Sequence, residues 1–152
     1  RAMASVEGGV VGAGTLLTPA DVAAAKDAGA LFGVSPGATP TLLAAAEDAD
    51  LPILPGASSA SEAMALLEQG YTVQKFFPAE AAGGVKFLGS LASPLPQITF
   101  CPTGGINLAK APDYLALPNV RCVGGSWVAP KDKIAAGDWA GIEALAAEAA
   151  AL

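Results

Sequence analysis

One pattern recurs along this chain and leaves few folds open to it. A short run rich in Val, Ile or Phe ends in Gly, Pro, Ser or Thr, and an alanine-rich segment follows that scans as a helix. Residues 10–15, 31–37, 51–56, 72–78, 97–101 and 120–123 read as the strands. The helices are marked by their starts. Thr18-Pro19-Ala20-Asp21 supplies an N-cap, a proline at the first helical position and a first-turn carboxylate. Thr39-Pro40 repeats the signal before 41–48. Ser58 or Ser59 caps a helix running through Gln69, and Glu62 is spaced to complete a capping box with Ser59. Further helices are predicted near 84–91, 108–116 (interrupted early by Pro112) and 138–150. No linker, low-complexity segment or sequence repeat divides them, so residues 1–152 are expected to form a single domain.

Strands alternating with helices imply a parallel sheet covered by helices. Six units in 152 residues fit a doubly wound open sheet. A (β/α)8 barrel needs eight units and usually about 200 residues or more. The unit count therefore favours the open sheet, unless the chain is incomplete. Arg1-Ala2-Met3-Ala4-Ser5 reads as the tail of a helix feeding the first strand, without an initiator methionine, which points to a piece of a longer chain.

Composition narrows the partners. The chain is 53% hydrophobic and 14% charged, against about 25% charged in ordinary domains, so much of it must be buried. A net charge of −6 argues against nucleic acid or an anionic membrane as partner. It leaves room for a small phosphorylated ligand, which backbone amides can bind without net positive charge. The uncharged run 28–46 is broken by Gly and Pro and does not read as a membrane span, and no signal peptide is recognised. A cytoplasmic protein is expected. Cys101 and Cys122 lie in apolar strand-like runs and read as buried, reduced thiols. With no histidine, imidazole catalysis and His-ligated zinc are excluded.

The chemistry centres on Thr72-Val73-Gln74-Lys75-Phe76-Phe77-Pro78-Ala79-Glu80. Strand alternation places Val73, Lys75 and Phe77 on one face and Gln74 and Phe76 on the other. Burial would lower the Lys75 pKa and make its amine a nucleophile towards a carbonyl. The competing reading is a sheet-edge lysine whose stem lies on apolar surface while its ammonium reaches water. Thr15, Thr103-Gly104-Gly105 and Gly124-Gly125-Ser126 also fall at strand C-terminal ends, where parallel α/β folds place their sites. Two Gly-Gly exits from consecutive strands let backbone N–H groups approach an anion; tight turns alone would also explain them. Glu80 reads either as a rim acid/base or as a helix-leading carboxylate. Lys86, Lys131 and Lys133 read as solvated charges, Arg121 as an outward ion-pair or subunit contact, and Trp127 and Trp139 as packing for the last helix.

Taken together, Val-Gly-Ala-Gly-Thr (11–15), Ser-Pro-Gly (35–37), Pro-Gly (55–56), Lys-Phe-Phe-Pro-Ala-Glu (75–80), Gly-Gly-Val-Lys (83–86), Phe-Cys-Pro-Thr-Gly-Gly-Ile (100–106) and Gly-Gly-Ser-Trp (124–127) resemble, in order, the 2-keto-3-deoxy-6-phosphogluconate (KDPG) aldolases, also active as 4-hydroxy-2-oxoglutarate (KHG) aldolases. That resemblance implies a (β/α)8 TIM-type barrel, of which this chain supplies about six β-α units, the C-terminal three-quarters. It implies a class I aldolase, reversibly cleaving KDPG to pyruvate and glyceraldehyde 3-phosphate, usually as a homotrimer, without a cofactor or metal. Lys75 matches the family's Schiff-base lysine and Thr15 the threonine at the pyruvate carboxylate end. Phe77 and Thr103 match pocket-lining groups. Gly104, Gly105, Gly124, Gly125 and Ser126 match the phosphate site. The family's general-base glutamate and carboxylate-binding arginine lie on an earlier strand, outside this sequence. Two alternatives stand beside this: a non-catalytic barrel fragment or assembly scaffold retaining a phosphate site, and a phosphate-binding barrel isomerase.

Overall fold

The computed structural model describes all residues 1–152. It begins with a 3-10 turn, Met3–Ser5, in place of the expected α-helical tail. The elements then alternate: β1 (Gly12–Gly14), α1 (Pro19–Asp27), β2 (Phe32–Val34), α2 (Pro40–Asp48), β3 (Ile53–Leu54), β4 (Gly56–Ala57), α3 (Ala60–Glu68), β5 (Val73–Phe76), α4 (Gly84–Ser90), β6 (Thr99–Pro102), α5 (Ala111–Leu115), α6 (Lys131–Ala136) and α7 (Trp139–Ala150). Every strand pairing is parallel.

The helix starts follow the sequence signals. Thr18 accepts from the Asp21 amide while Asp21 reaches back to the Thr18 amide, a complete capping box. At α2, Thr39 accepts from the Leu42 amide without a reciprocal bond, and Pro40 is the first helical residue. Replacing Thr18 by alanine is expected to cost about 1 kcal/mol of stability, read from the shift in a urea midpoint. At α3, Ser59 accepts from the Glu62 amide, but the Glu62 carboxylate bonds the Ser58 amide and both serine hydroxyls instead of closing a box on Ser59. Pro112 does not interrupt α5, because it sits in the first turn, where its missing N–H has no helical partner to lose.

Three features depart from the sequence reading. The expected strand at 51–56 divides at Pro55. Its first half, β3, pairs with β2, and its second half, β4, pairs with β5, so the sheet becomes two three-stranded parts, β1-β2-β3 and β4-β5-β6. The expected strand at 120–123 forms no ladder. It touches β6 only at Phe100–Val120 and Thr103–Gly124. Between those bridges this segment advances one residue more than β6, and the surplus breaks the regular pairing. A helix not foreseen, α6, precedes α7, and Lys133 pairs with Asp138, the N-cap of α7, at 2.5 Å instead of standing free in solvent.

Two apolar clusters lie between sheet and helices. Seven buried residues, among them Leu16, Val22, Leu42 and Leu51, fill the space under α1 and α2. Fourteen, led by Phe76, Leu88, Ile98, Phe100 and Tyr114, fill the other half. Phe76 stacks on Phe87 at 5.7 Å between ring centroids and meets Phe100 edge-on at 6.4 Å. Trp139 is 65% exposed and does not pack the closing helix, whereas Trp127 packs against the larger cluster. No helix is long and apolar enough to cross a membrane.

Candidate active site

β5 presents its two faces as strand alternation requires. Gln74 and Phe76 point into the helix-covered layer and are fully buried; the Gln74 amide donates to the carbonyls of Ala63 and Tyr71, tying β5 to α3. Lys75 points the other way. It registers with Gly56 on β4 and with Cys101 on β6, and is only 8% exposed. Its ammonium lies 4.7 Å from the centre of the Phe77 ring. No carboxylate pairs with it. Burial therefore lowers the Lys75 pKa from the ordinary lysine value, opposed only by Cys101. The face is not apolar throughout, because Val73, at the strand's start, is half exposed.

Lys75 has a thiol as its cross-strand neighbour. Cys101 is pushed well up because its thiol is the donor towards Cys122 and because burial disfavours its thiolate, so it stays a neutral thiol. Cys122 is exposed and Cys101 only partly buried, where both were expected to be buried, and both cysteines are free. Cys101 Sγ lies 4.0 Å from Thr103 Oγ1. Thr103 is held by its amide, which donates to Phe76 O at 2.9 Å.

Beyond Thr103 the two Gly-Gly exits meet. Thr103, Gly104, Gly105, Gly125, Ser126 and Trp127 line an open cleft of about 550 Å³. Gly104 and Gly105 adopt φ of +104° and +78°, and the Phe77 ring lies against Gly104, so the lysine strand and the cleft share a wall. The amides of Gly104, Gly105, Gly125 and Ser126 have no acceptor within the protein. Gly124 differs. Its amide donates to Pro102 O at 2.8 Å, and it lies under Thr103, where a Cβ would come 2.5 Å from the hydroxyl. Four unpaired N–H groups converging on an open cleft form an anion-binding concavity that needs no cationic side chain.

Thr15 directly follows β1, at the same end of the strands, but it is exposed and its strand belongs to the other half of the sheet. Arg121 is exposed and makes no ion pair. The largest concavity, about 640 Å³, lies elsewhere, between α2 and Gln69-Gly70-Tyr71, and holds no nucleophile. Glu80 has partners the sequence does not signal: Tyr114 Oη donates to its Oε1 and Lys110 Nζ to its Oε2. Lys110 and Tyr114 follow it by some thirty residues, beyond the reach of any local pattern.

Parallel strands, each feeding a helix, with a buried lysine and an amide-lined cleft at their C-terminal ends, define an α/β chain of TIM-barrel type. Within that class it belongs to the KDPG and KHG aldolase family, whose profile matches residues 1–145. It is 52% identical over 139 residues to the 2-dehydro-3-deoxy-phosphogluconate aldolase of Pseudomonas aeruginosa, covering 91% of this chain and 63% of that protein. Its structure is similar to the Zymomonas mobilis KDPG aldolase solved with 3-phosphoglycerate (TM-score 0.89, 48% identity, covering 95% of this chain and 68% of that one). It is also similar to the Legionella pneumophila KDPG aldolase with pyruvate captured at low pH as a covalent carbinolamine (TM-score 0.87, 46% identity, 91% and 67%). The chain thus spans a little under two-thirds of the length of the Pseudomonas relative.

Proposed function

We propose that the protein is a class I aldolase that reversibly cleaves KDPG to pyruvate and glyceraldehyde 3-phosphate, and that it can also act on KHG. The observation that carries this reading is Lys75: buried, free of any carboxylate, lowered in pKa by burial and adjoining the amide-lined cleft. A neutral amine there adds to the C2 ketone to give a carbinolamine. Loss of water leaves an iminium. The iminium accepts the electron pair of the breaking C3–C4 bond as the C4 hydroxyl gives up its proton and the aldehyde departs. The resulting enamine is protonated at C3, and water returns pyruvate and the free lysine. No residue of this chain is assigned the proton shuttle.

Phe77 and Thr103 bound the space next to Lys75, and Thr15 is assigned to the pyruvate carboxylate end. The phosphate is assigned to the amides of Gly104, Gly105, Gly125 and Ser126, with Gly124 shaping the exit beneath Thr103. A relative solved with 3-phosphoglycerate and another with a pyruvate carbinolamine support both halves of this assignment. A single domain forming six of eight barrel units, a homotrimeric assembly and a cytoplasmic location belong to the same proposal. Family membership supports the first two, and two free thiols fit a reducing compartment. Sedimentation of the intact protein tests the trimer.

The decisive experiment is borohydride reduction in the presence of pyruvate, followed by peptide mapping. The expected result is a single adduct on Lys75. No adduct in the intact protein, or an adduct elsewhere, overturns the assignment. Run as a pH series, adduct formation should rise with pH and level off below the ordinary lysine pKa, because a lowered pKa supplies neutral amine at lower pH. A rise that continues to the ordinary lysine value would contradict the lowered pKa. A second reading is a non-catalytic barrel fragment or assembly scaffold that retains a phosphate site, which the amide-lined cleft taken alone would support. Normal turnover of KDPG by residues 1–152 alone would dismiss it.

A further inference from the structure

Glu80 is not explained by the reaction just assigned. It does not cap α4: the N-cap there is Gly83, with no side-chain bond, and the carboxylate turns towards the next strand's exit. Both of its oxygens are engaged, Oε1 by Tyr114 Oη at 2.5 Å and Oε2 by Lys110 Nζ. Those two donors hold its carboxyl below the usual carboxylate range, so it remains an acceptor rather than a proton donor. Tyr114 is itself fully buried, which fixes one end of the group in the larger apolar cluster.

The other end of the group is the amide-lined loop. The Ala79 amide donates to Thr103 O at 2.8 Å and the Glu80 amide to Gly104 O at 3.2 Å. The Glu80 stem lies against Gly105 so closely that a Cβ there would come 2.7 Å from its Cγ. Lys110, held by Glu80, also donates to Gly105 O at 3.4 Å. All three carbonyls of 103–105 are thereby tied to the Glu80 neighbourhood. With the carbonyls fixed on one side of each peptide, the N–H groups of Gly104 and Gly105 are aimed at the cleft from the other. Glycines at positive φ have little conformational preference of their own, so this orientation has to be imposed from outside.

We propose that Glu80 is a positioning residue: with Tyr114 and Lys110 it clamps the 103–105 loop and sets the affinity of the amide-lined cleft for the phosphate end of the substrate. This rests on the phosphate assignment above. It adds a specificity consequence, since a substrate without phosphate should be indifferent to the clamp. A merely structural role would lower turnover of both substrates alike.

The test uses the intact protein and its Glu80→Gln variant, which keeps the stem against Gly105 but loses the ion pair. Inorganic phosphate is titrated while the amide resonances of Gly104, Gly105, Gly125 and Ser126 are followed, and KM and kcat are measured with KDPG and with KHG. Phosphate should bind the parent and bind E80Q about tenfold more weakly, with a matching rise in KM for KDPG, little change for KHG and an undiminished pyruvate adduct on Lys75. Tyr114→Phe should reproduce the effect in smaller measure, which covers the case of a poorly folded E80Q. Equal phosphate affinity in parent and variants, no phosphate binding to the parent, or an equal loss with KHG would overturn the clamp. Absence of the pyruvate adduct in the parent, with phosphate affinity still dependent on Glu80, would instead overturn the aldolase reading and leave the clamp standing.

Discussion

Replacing Lys75 by methionine should abolish KDPG cleavage, with a loss of about 10⁴-fold or more in kcat, and should leave no pyruvate adduct after borohydride. Loss of a covalent intermediate is not offset by neighbouring groups, because the chain has no second amine on this face of β5. The nearest titratable group, Cys101, is a neutral thiol and cannot form an iminium. The variant should nonetheless fold at least as stably as the parent. Burial disfavours the lysine ammonium, and a methionine of similar length fills the same space without that cost. Lys75→Arg should be equally inactive, since a guanidinium stays protonated and is no nucleophile. Turnover, adduct formation and a denaturation curve read together separate chemistry from folding. Retained turnover in the methionine variant would remove Lys75 from the reaction.

Gly56→Ala should have the largest effect on stability, about 3 kcal/mol or more. Gly56 lies opposite Lys75 in the β4–β5 pairing, and an added Cβ would meet Pro36 O at 2.2 Å, Pro36 C at 2.3 Å and Gly37 N at 2.7 Å. All three are backbone atoms, so no side chain can rotate away. Either the 35–37 turn moves off the sheet or β4 withdraws from β5, and the second response displaces Lys75. Equilibrium urea unfolding gives the stability change, and the pyruvate adduct yield reports whether the lysine has moved. A loss below about 1 kcal/mol would mean the turn at 35–37 yields easily, and that the strand beside Lys75 is not held by it.

Helix starts were legible in the sequence because their causes are local. Thr18, Thr39 and Ser59 each bond an amide three residues on, and proline at the first helical position costs nothing there. The side-chain alternation about Lys75 was legible for the same reason: it follows from strand geometry alone. Strand pairing was less so. Nothing local tells that the run through Pro55 serves two partners, or that 120–124 carries one residue too many to match β6. The candidate site divides along the same line. Lys75, Thr103 and the Gly-Gly exits were found as residue types at strand ends. The different standing of Gly124, whose amide is taken by Pro102, needed the tertiary hydrogen bonds, and so did the Glu80–Tyr114–Lys110 group.

The division at Pro55 has a consequence for how the molecule comes apart. A single strand, 53–57, joins the two halves of the sheet, and each half has its own apolar cluster, seven residues on one side and fourteen on the other. Cooperative opening follows such boundaries, so amides of β1, β2 and α1 should exchange with solvent at a lower free energy than those of β5 and β6. Lys75 and the amide-lined cleft both belong to the larger unit, whereas Thr15 belongs to the smaller. Mild denaturant should therefore release Thr15 first, while Lys75 still sits in a folded strand; on the proposed chemistry, the pyruvate adduct would outlast the loss of the Thr15 end.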